Sequence, residues 1–139
     1  MKLSGALVAL FLAGCASTSP EGSEDFLAVA KAALPQIERG QTDVKLVVGP
    51  STDTRARSAM AKLRTVIELS EVPKRAGFSL PEGYVVIERF ELSKDEAVVK
   101  GHAGPVLTGN LLSCGYYITV PLKRVAGRWI AEQAPVAVC

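Results

Sequence analysis

The apolar positions of the chain change period near its middle, from a helical spacing to a strict alternation. Between residues 24 and 39, apolar side chains recur every three or four positions, which predicts an amphipathic helix. Ser23 is available as its N-cap, and Gly40 is expected to end it. Pro35 is expected to kink or divide the helix, because proline lacks a backbone donor and its ring contacts the preceding turn.

A short strand and a second helix are expected to follow. Residues 43–49 form a run of valine and leucine that is typical of a short strand. Residues 55–71 return to a helical spacing, for which residues 51–54 offer possible caps and Pro73 an end. The first half of the folded region therefore reads as helix, strand, helix.

Beyond Pro81 the chain alternates between apolar and polar positions, which predicts strands joined by turns. Four strands are expected, at residues 84–92, 97–103, 115–124 and 128–138. Helices followed by a run of strands predict an α+β fold, with the N-terminal helices packed on a curved antiparallel sheet of four to five strands. The length of 139 residues favours a single folded domain, which we assign to residues 24–139.

The turn between the first two of these strands sets the position of a carboxylate. A turn at Lys94-Asp95 places Glu88 opposite Gly101 on the apolar face of the hairpin, where it would find a partner or have a raised pKa. The same register sends His102 to the other face, and a slip of one residue exchanges these roles. Glu88 or His102, with Tyr116 or Tyr117, would then line a pocket. In the alternative, Glu88 is a rim residue in water.

The first fifteen residues carry a second pattern. Lys2 precedes an apolar run of about eleven residues, which reaches about 16 Å as a helix, roughly half of the ~30 Å hydrocarbon core of a bilayer. The run ends in Leu12, Ala13, Gly14 and Cys15. These four residues resemble the lipobox of bacterial lipoproteins, in which small residues precede an invariant cysteine. Residues 1–14 are therefore expected to be a lipoprotein signal peptide, with cleavage at an ordinary secretory site as the alternative.

The lipoprotein resemblance implies a location. Cys15 would carry a thioether-linked lipid and an acylated amino group, and two or three acyl chains make a stable membrane anchor. Residues 15–23 are rich in serine, threonine, proline and glycine, and this composition predicts a flexible tether. Ala16 stands where an aspartate would retain a lipoprotein in the inner membrane. For a Gram-negative source the resemblance thus implies the periplasmic face of the outer membrane.

Lipidation of Cys15 would leave a pair of cysteines in an oxidising compartment. If Ala126-Gly127 forms the turn of the last hairpin, Cys114 falls opposite Cys139, which predicts a disulfide. In the alternative the two thiols stay unpaired, because Pro135 bends the last strand out of register.

The order of the elements and the segment Gly127-Arg128-Trp129-Ile130 resemble the nuclear-transport-factor-2-like α+β cones. The similarity covers residues 24–133. It implies helices packed against a curved sheet that leaves a pocket, a fold that serves enzymes and non-catalytic binders alike.

The net charge and the lack of known sequence motifs disfavour several classes of function. A formal charge of +2 with 22% charged residues disfavours a nucleic-acid binder. One histidine and no paired-cysteine cluster predict no metal site, and no nucleotide or nucleophile-elbow motif calls for a cofactor. An enzyme remains an alternative, with His102, a serine such as Ser58 or Ser79, and an acid.

A binding or envelope-assembly module is the preferred hypothesis. A lipid tether confines the domain to a surface where its partners are membrane-bound. An apolar loop between two of the strands could be the partner surface, where polar turn residues are the rule. Alternatively, its side chains cap the open end of the core. They are Val106, Leu107, Leu111 and Leu112.

Overall fold

A computed structural model describes residues 22–73, 83–104, 106–108, 111–113 and 115–138, with the two short stretches 106–108 and 111–113 described for the backbone only. The predicted signal peptide, Cys15 and most of the tether lie outside the described residues. So do Cys114 and Cys139, and so do the side chains of Val106, Leu107, Leu111 and Leu112. The predictions made for these residues stay predictions.

The described elements follow the order helix, strand, helix, then strands. The helices are α1 (Ser23–Glu38) and α2 (Thr54–Ala61), with a short 3-10 turn at Leu69–Glu71. The strands are β1 (Lys45–Val48), β2 (Thr65–Glu68), β3 (Tyr84–Leu92), β4 (Glu96–Ala103), β5 (Val106–Thr108), β6 (Leu111–Ser113), β7 (Tyr116–Val125), β8 (Arg128–Ala131) and β9 (Val136–Val138).

The strands build a mixed seven-stranded sheet in the order β2-β1-β3-β4-β7-β8, with β9 also paired to β7. Strands β5 and β6 pair separately as a small antiparallel hairpin. The predicted α+β class is confirmed. The expected sheet of four to five antiparallel strands was too small, because β1 enters between β2 and β3 and runs parallel to both.

Helix α1 forms because its apolar stripe faces the sheet. Phe26, Val29 and Ile37 on this stripe are almost completely buried. The helix continues through Pro35, so the expected division at this residue was wrong, and its N-cap is Gly22 rather than Ser23. It ends at Glu38, and the C-cap Arg39 has a left-handed backbone (φ 51°) and donates its N–H to the carbonyl of Pro35.

The second predicted helix is much shorter than expected. Helix α2 is capped by the side chain of Asp53, which accepts a hydrogen bond from the backbone N–H of Arg55 at 2.7 Å. It ends at Ala61, and residues 65–68 form β2 instead of further helical turns. Thr65, Val66 and Ile67 are β-branched, and pairing with β1 outweighs their helical spacing.

The core lies between the helices and one face of the sheet. Both helices contribute to a single cluster of buried side chains with β1, β3, β4 and β7. On the other face, side chains of β3, β4 and β7 are partly or fully exposed, as their alternating burial shows. We call this the open face of the sheet.

The β7–β8 hairpin has the predicted register, since Val125 pairs with Arg128. Ala126 (φ 50°) and Gly127 (φ 77°) form its two-residue loop with positive φ at both positions, which matches the twist of the flanking strands. The single last strand expected over residues 128–138 is divided into β8 and β9. Strand β9 pairs Val138 with Tyr116, one residue out of step with the hairpin.

Candidate functional site

The position of Glu88 depends on a bulge in β3. Near the turn, β3 and β4 have the predicted register, for example Phe90 opposite Val99. The register shifts between Ile87 and Arg89, and beyond the shift Ile87, not Glu88, lies opposite Gly101. Because a bulge adds one residue to one strand, the expected apolar surroundings of Glu88 were wrong.

Gly101 shows why Ile87 occupies the inner position. Ile87 is 3% exposed and belongs to the core. A Cβ atom at Gly101 would lie 2.7 Å from Cγ2 of Ile37 on α1, so the glycine allows the helix to approach the sheet at this point. The inner face has no space for a carboxylate there, and Glu88 lies on the open face.

On the open face Glu88 contacts two side chains of β4. Its Oε1 lies 3.1 Å from Nδ1 of His102, in a geometry that is not that of a hydrogen bond, and its Oε2 lies 3.5 Å from Nζ of Lys100. His102 and Lys100 share this face because they are two residues apart on one strand. The prediction that His102 and Glu88 occupy opposite faces was therefore wrong.

Tyr117 completes the group. It is the cross-strand neighbour of His102 on β7, and the two ring centroids are 5.2 Å apart. Its side chain is among the most exposed large apolar groups that the structure describes, at 48%. We call Glu88, Lys100, His102 and Tyr117 the open-face cluster.

Tyr116, the fourth predicted pocket residue, lies on the other side of the sheet. Its hydroxyl donates a hydrogen bond to the carbonyl of Ile37 at 2.7 Å and accepts one from the side chain of Gln41 at 3.0 Å. Burial raises the pKa of this hydroxyl. Tyr116 thus attaches the end of α1 to β7, and the structure separates it from the other three predicted residues.

The open-face cluster brings together a carboxylate, an ammonium, an imidazole and a phenol. These groups can accept and donate hydrogen bonds and stack on a flat ligand surface. The charged groups remain hydrated, since Lys100 is 42% exposed and Glu88 is 32% exposed. Within the described residues, the polar and ring contacts of the His102 side chain are those to Glu88 and Tyr117, and Ser58 is not among them. Ser79 lies outside the described residues.

A cleft of about 530 Å³ lies next to this cluster, along β3. Its walls are the loop before α2 and the second half of β3, and Phe26 and Phe90 lie at its base. The sequence does not predict this cleft, because its two walls are far apart along the chain and the bulge in β3 leaves no clear mark on the pattern of apolar residues. It is lined by Phe26, Ser51, Thr52, Asp53, Arg55, Ile87, Glu88, Arg89, Phe90, Glu91 and Leu92.

The charges around the cleft form ion pairs along the chain. Asp53 pairs with Arg55 at 3.1 Å, and Arg89 pairs with Glu91 at 2.5 Å. Hydrogen bonds from Arg55 lower the pKa of Asp53, and a hydrogen bond from Arg89 lowers the pKa of Glu91. Glu88, the remaining charged residue of the lining, pairs with Lys100 of the open-face cluster at 3.5 Å.

Across the part of the chain that the structure describes, no group of three or more potential metal ligands occurs. No helix in that part is long and apolar enough to cross a membrane. The chain matches no protein-family model, no curated protein and no solved structure.

Proposed function

We propose that this protein is a lipid-anchored envelope lipoprotein that acts as a binding or assembly module on the periplasmic side of the membrane. The anchor is proposed from the sequence Leu12-Ala13-Gly14-Cys15 and the polar tether behind it. The binding role rests on one observation, the open-face cluster. The fold uses the other side of the sheet for its core and leaves these four side chains presented together on the open face.

The composition of the cluster favours a binding surface over a catalytic centre. Exposed tyrosine side chains are enriched at the centres of protein interfaces, and charged side chains such as those of Lys100 and Glu88 are typical of the polar rim around them. Catalysis by an acid and a base instead benefits from a site closed to water. Tyr117 and Lys100 are nearly half exposed on a flat strand surface, which a partner can cover.

The anchor is tested by replacing the lipid-bearing thiol. We expect Cys15→Ser to move the protein from the detergent phase to the aqueous phase when cells are extracted, because no acyl chain can then be attached. Intact mass of the extracted wild type should show cleavage before Cys15 together with added acyl chains. A Cys15→Ser protein that still partitions with the membrane would contradict the anchor.

The binding face is tested separately, by crosslinking in membranes. A photoreactive amino acid at Thr119, which lies beside Lys100 on the open face, should capture a partner of defined mass. Tyr117→Ala should abolish this adduct while the domain still folds. Lys31→Ala, at an exposed position of α1, serves as the matched control and should leave the adduct unchanged. Equal adducts in both variants would exclude the open-face cluster as the contact.

A small-ligand site or an enzyme centre is the second candidate, and the contact between Glu88 and His102 favours it. The carboxylate of Glu88 and the imidazole of His102, with Oε1 and Nδ1 3.1 Å apart, place two groups able to hydrogen-bond a small ligand side by side. A small anionic or hydroxylated ligand should then shift the NMR signals of His102 in the wild type but not in Glu88→Gln.

The partner surface predicted at Val106, Leu107, Leu111 and Leu112 likewise stays a prediction, tested by Leu111→Asp in the same crosslinking experiment.

A further inference from the structure

Strand β3 has an edge that its neighbour covers only in part. Strand β1 pairs with residues 84–87 of β3, and its last pair is Val48 with Ile87. Beyond Ile87, β3 continues for five residues to Leu92. No other strand that the structure describes pairs with β3 on this side. The cleft of about 530 Å³ lies along this uncovered edge.

Hydrogen-bond alternation shows which backbone groups face the cleft. The N–H of Ser93 donates to the carbonyl of Glu96 at 2.8 Å, so these two residues form a hydrogen-bonded pair. In an antiparallel ladder, bonded and non-bonded pairs alternate. The N–H and C=O groups of Phe90 and Leu92 therefore point away from β4 and towards the cleft.

The opposite wall of the cleft leaves room beside this edge. The chain leaves β1 through a turn in which the N–H of Thr52 donates to the carbonyl of Gly49 at 3.2 Å, and Asp53 then starts α2. Phe26 and Phe90 stack at the base, with ring centroids 5.7 Å apart. Both rings are nearly fully buried, and the guanidinium of Arg55 lies over the Phe26 ring, 4.7 Å from its centroid. The unused hydrogen-bonding groups are those of the strand.

We propose that this cleft binds a short extended segment of another protein, which adds to the sheet as a strand in line with β1. An extended backbone supplies the alternating donors and acceptors that complement Phe90 and Leu92. Five residues of β3 offer roughly 16 Å of edge at about 3.3 Å per residue, which is enough for a segment of about four residues. The bulge at Glu88 limits the length of the added strand, as bulges do at sheet edges.

The ion pairs of the cleft define the chemistry of the segment. Asp53–Arg55 and Arg89–Glu91 are each paired within the chain, and Glu88, the remaining charged residue of the lining, pairs with Lys100 at 3.5 Å, so every charged side chain of the lining has a partner within the chain. The matching partner is an uncharged extended peptide, recognised mainly through its backbone. This site shares Glu88 with the open-face cluster, but its contacts are the backbone groups of Phe90 and Leu92, so peptide titration and crosslinking from Thr119 test the two proposals separately.

The test uses the full chain in detergent and a blocked pentapeptide of alternating threonine and valine as the probe. NMR titration should shift the backbone amides of Phe90, Leu92 and Thr52. The same peptide methylated on alternate nitrogens loses its donors on one edge and should bind at least about tenfold more weakly.

A pair of matched variants separates the cleft from the rest of the surface. Ser51→Trp places a large ring in the cleft and should weaken binding at least about tenfold, whereas Lys94→Trp, in the exposed β3–β4 turn, should leave binding unchanged. No binding, equal binding of the methylated peptide, or amide shifts confined to other strands would each overturn the proposal. A dimer formed through this edge, detected by sedimentation, would show that a second copy of the chain is the occupant and would also overturn it.

Discussion

Glu38 is an unusual residue in this protein, because it is a charged side chain inside the core. Its side chain is only 4% exposed, and both of its carboxylate oxygens accept hydrogen bonds from Arg64, at 2.7 and 2.8 Å. The hydrogen bond to Glu38 raises the pKa of Arg64, although burial of the guanidinium opposes this. The two-point geometry fixes the end of α1 against the segment that follows α2.

The two partners of this ion pair should differ in the cost of their removal. Arg64→Met leaves a buried carboxylate without a partner, and we expect it to lower the free energy of unfolding by about 3 to 5 kcal/mol. Glu38→Gln leaves a guanidinium that is 37% exposed and can turn to water, so a smaller loss of about 1 to 2 kcal/mol is expected. Urea unfolding of both variants at neutral pH measures the difference. Equal losses would show that burial of Glu38 does not set the cost.

Single residues also show where the sequence could predict the site and where it could not. Alternation correctly placed Phe90 on the inner face of the hairpin, and it brought His102 and Tyr117 into consideration. It could not detect the bulge at Glu88, because one extra residue in a strand leaves the composition unchanged while it reverses every face beyond it. Tyr116 and Tyr117 were both plausible pocket residues, yet neighbours on a strand face opposite sides.

At the scale of elements, Asp25 connects α1 to the last hairpin. Its Oδ1 accepts a hydrogen bond from the indole N–H of Trp129 at 3.1 Å and forms an ion pair with Arg124, whose guanidinium also stacks on the Trp129 ring. Burial alone would raise the pKa of Asp25. The hydrogen bonds from Arg124 and Trp129 and the charge of Arg124 outweigh burial and lower it.

This lowered pKa predicts an acid-dependent contribution to stability. A carboxyl group with a pKa below its unfolded value of about 3.9 stabilises the fold above that pH, and the contribution is lost as the pH falls through the folded pKa. Asp25→Asn should therefore cost about 1 to 2 kcal/mol at pH 7, and the cost should shrink in acid. Urea unfolding of wild type and variant from neutral to acidic pH measures the difference between their free energies of unfolding. The carboxyl groups of Asp53 and Glu91, whose pKa values are also lowered, contribute equally to both proteins and cancel in this difference. A constant difference would contradict this role of Asp25.

The loop of the β7–β8 hairpin contains a residue in a strained conformation. Ala126 has a φ of 50°, in the left-handed region that costs a residue with a Cβ atom roughly 1 to 2 kcal/mol. Asparagine tolerates this region and precedes glycine in favoured two-residue loops. Ala126→Asn should thus raise the free energy of unfolding by about 0.5 to 1 kcal/mol in thermal or urea unfolding. Ala137→Asn, on the nearby exposed strand β9, provides a control that should bring no gain.

The elements differ in how far their sequence determines them. Helix α1 was predicted to within a residue at each end, because its apolar stripe is long and its end is marked by Gly40. Residues 55–71 satisfied the same helical spacing, yet only their first half is a helix. Val66 and Ile67 suit either period, and their pairing with β1, some twenty residues earlier, decides the outcome in favour of a strand.

At the scale of the whole molecule, the topology was less predictable than the class. The predicted order, helices first and then strands with alternating apolar and polar residues, correctly indicated the α+β class. The insertion of β1 between β2 and β3 joins segments that are distant in sequence. The spacing of apolar residues along the sequence does not indicate which strands become neighbours. This insertion also creates the uncovered edge on which the proposed peptide site rests. Since β1 is only four residues long, it leaves the second half of β3 uncovered beside the loop that leads to α2.

The ends of β7 and β9 bear on the disulfide predicted between Cys114 and Cys139. Tyr116, two residues after Cys114, pairs with Val138, one residue before Cys139, so β7 and β9 bring the two cysteine positions near each other but one residue out of the register that would place them directly opposite. A bridge between them would close a loop of about 26 residues and stabilise the fold by about 3 to 4 kcal/mol in the chain-entropy model.

Peptide mapping of exported protein without reduction should recover the two cysteines in one linked species. Cys114→Ser should lower the free energy of unfolding by that amount, and Cys139→Ser, or both changes together, should lower it equally, because either change opens the same loop. Additive losses, or both thiols alkylated before reduction, would show that the cysteines act separately.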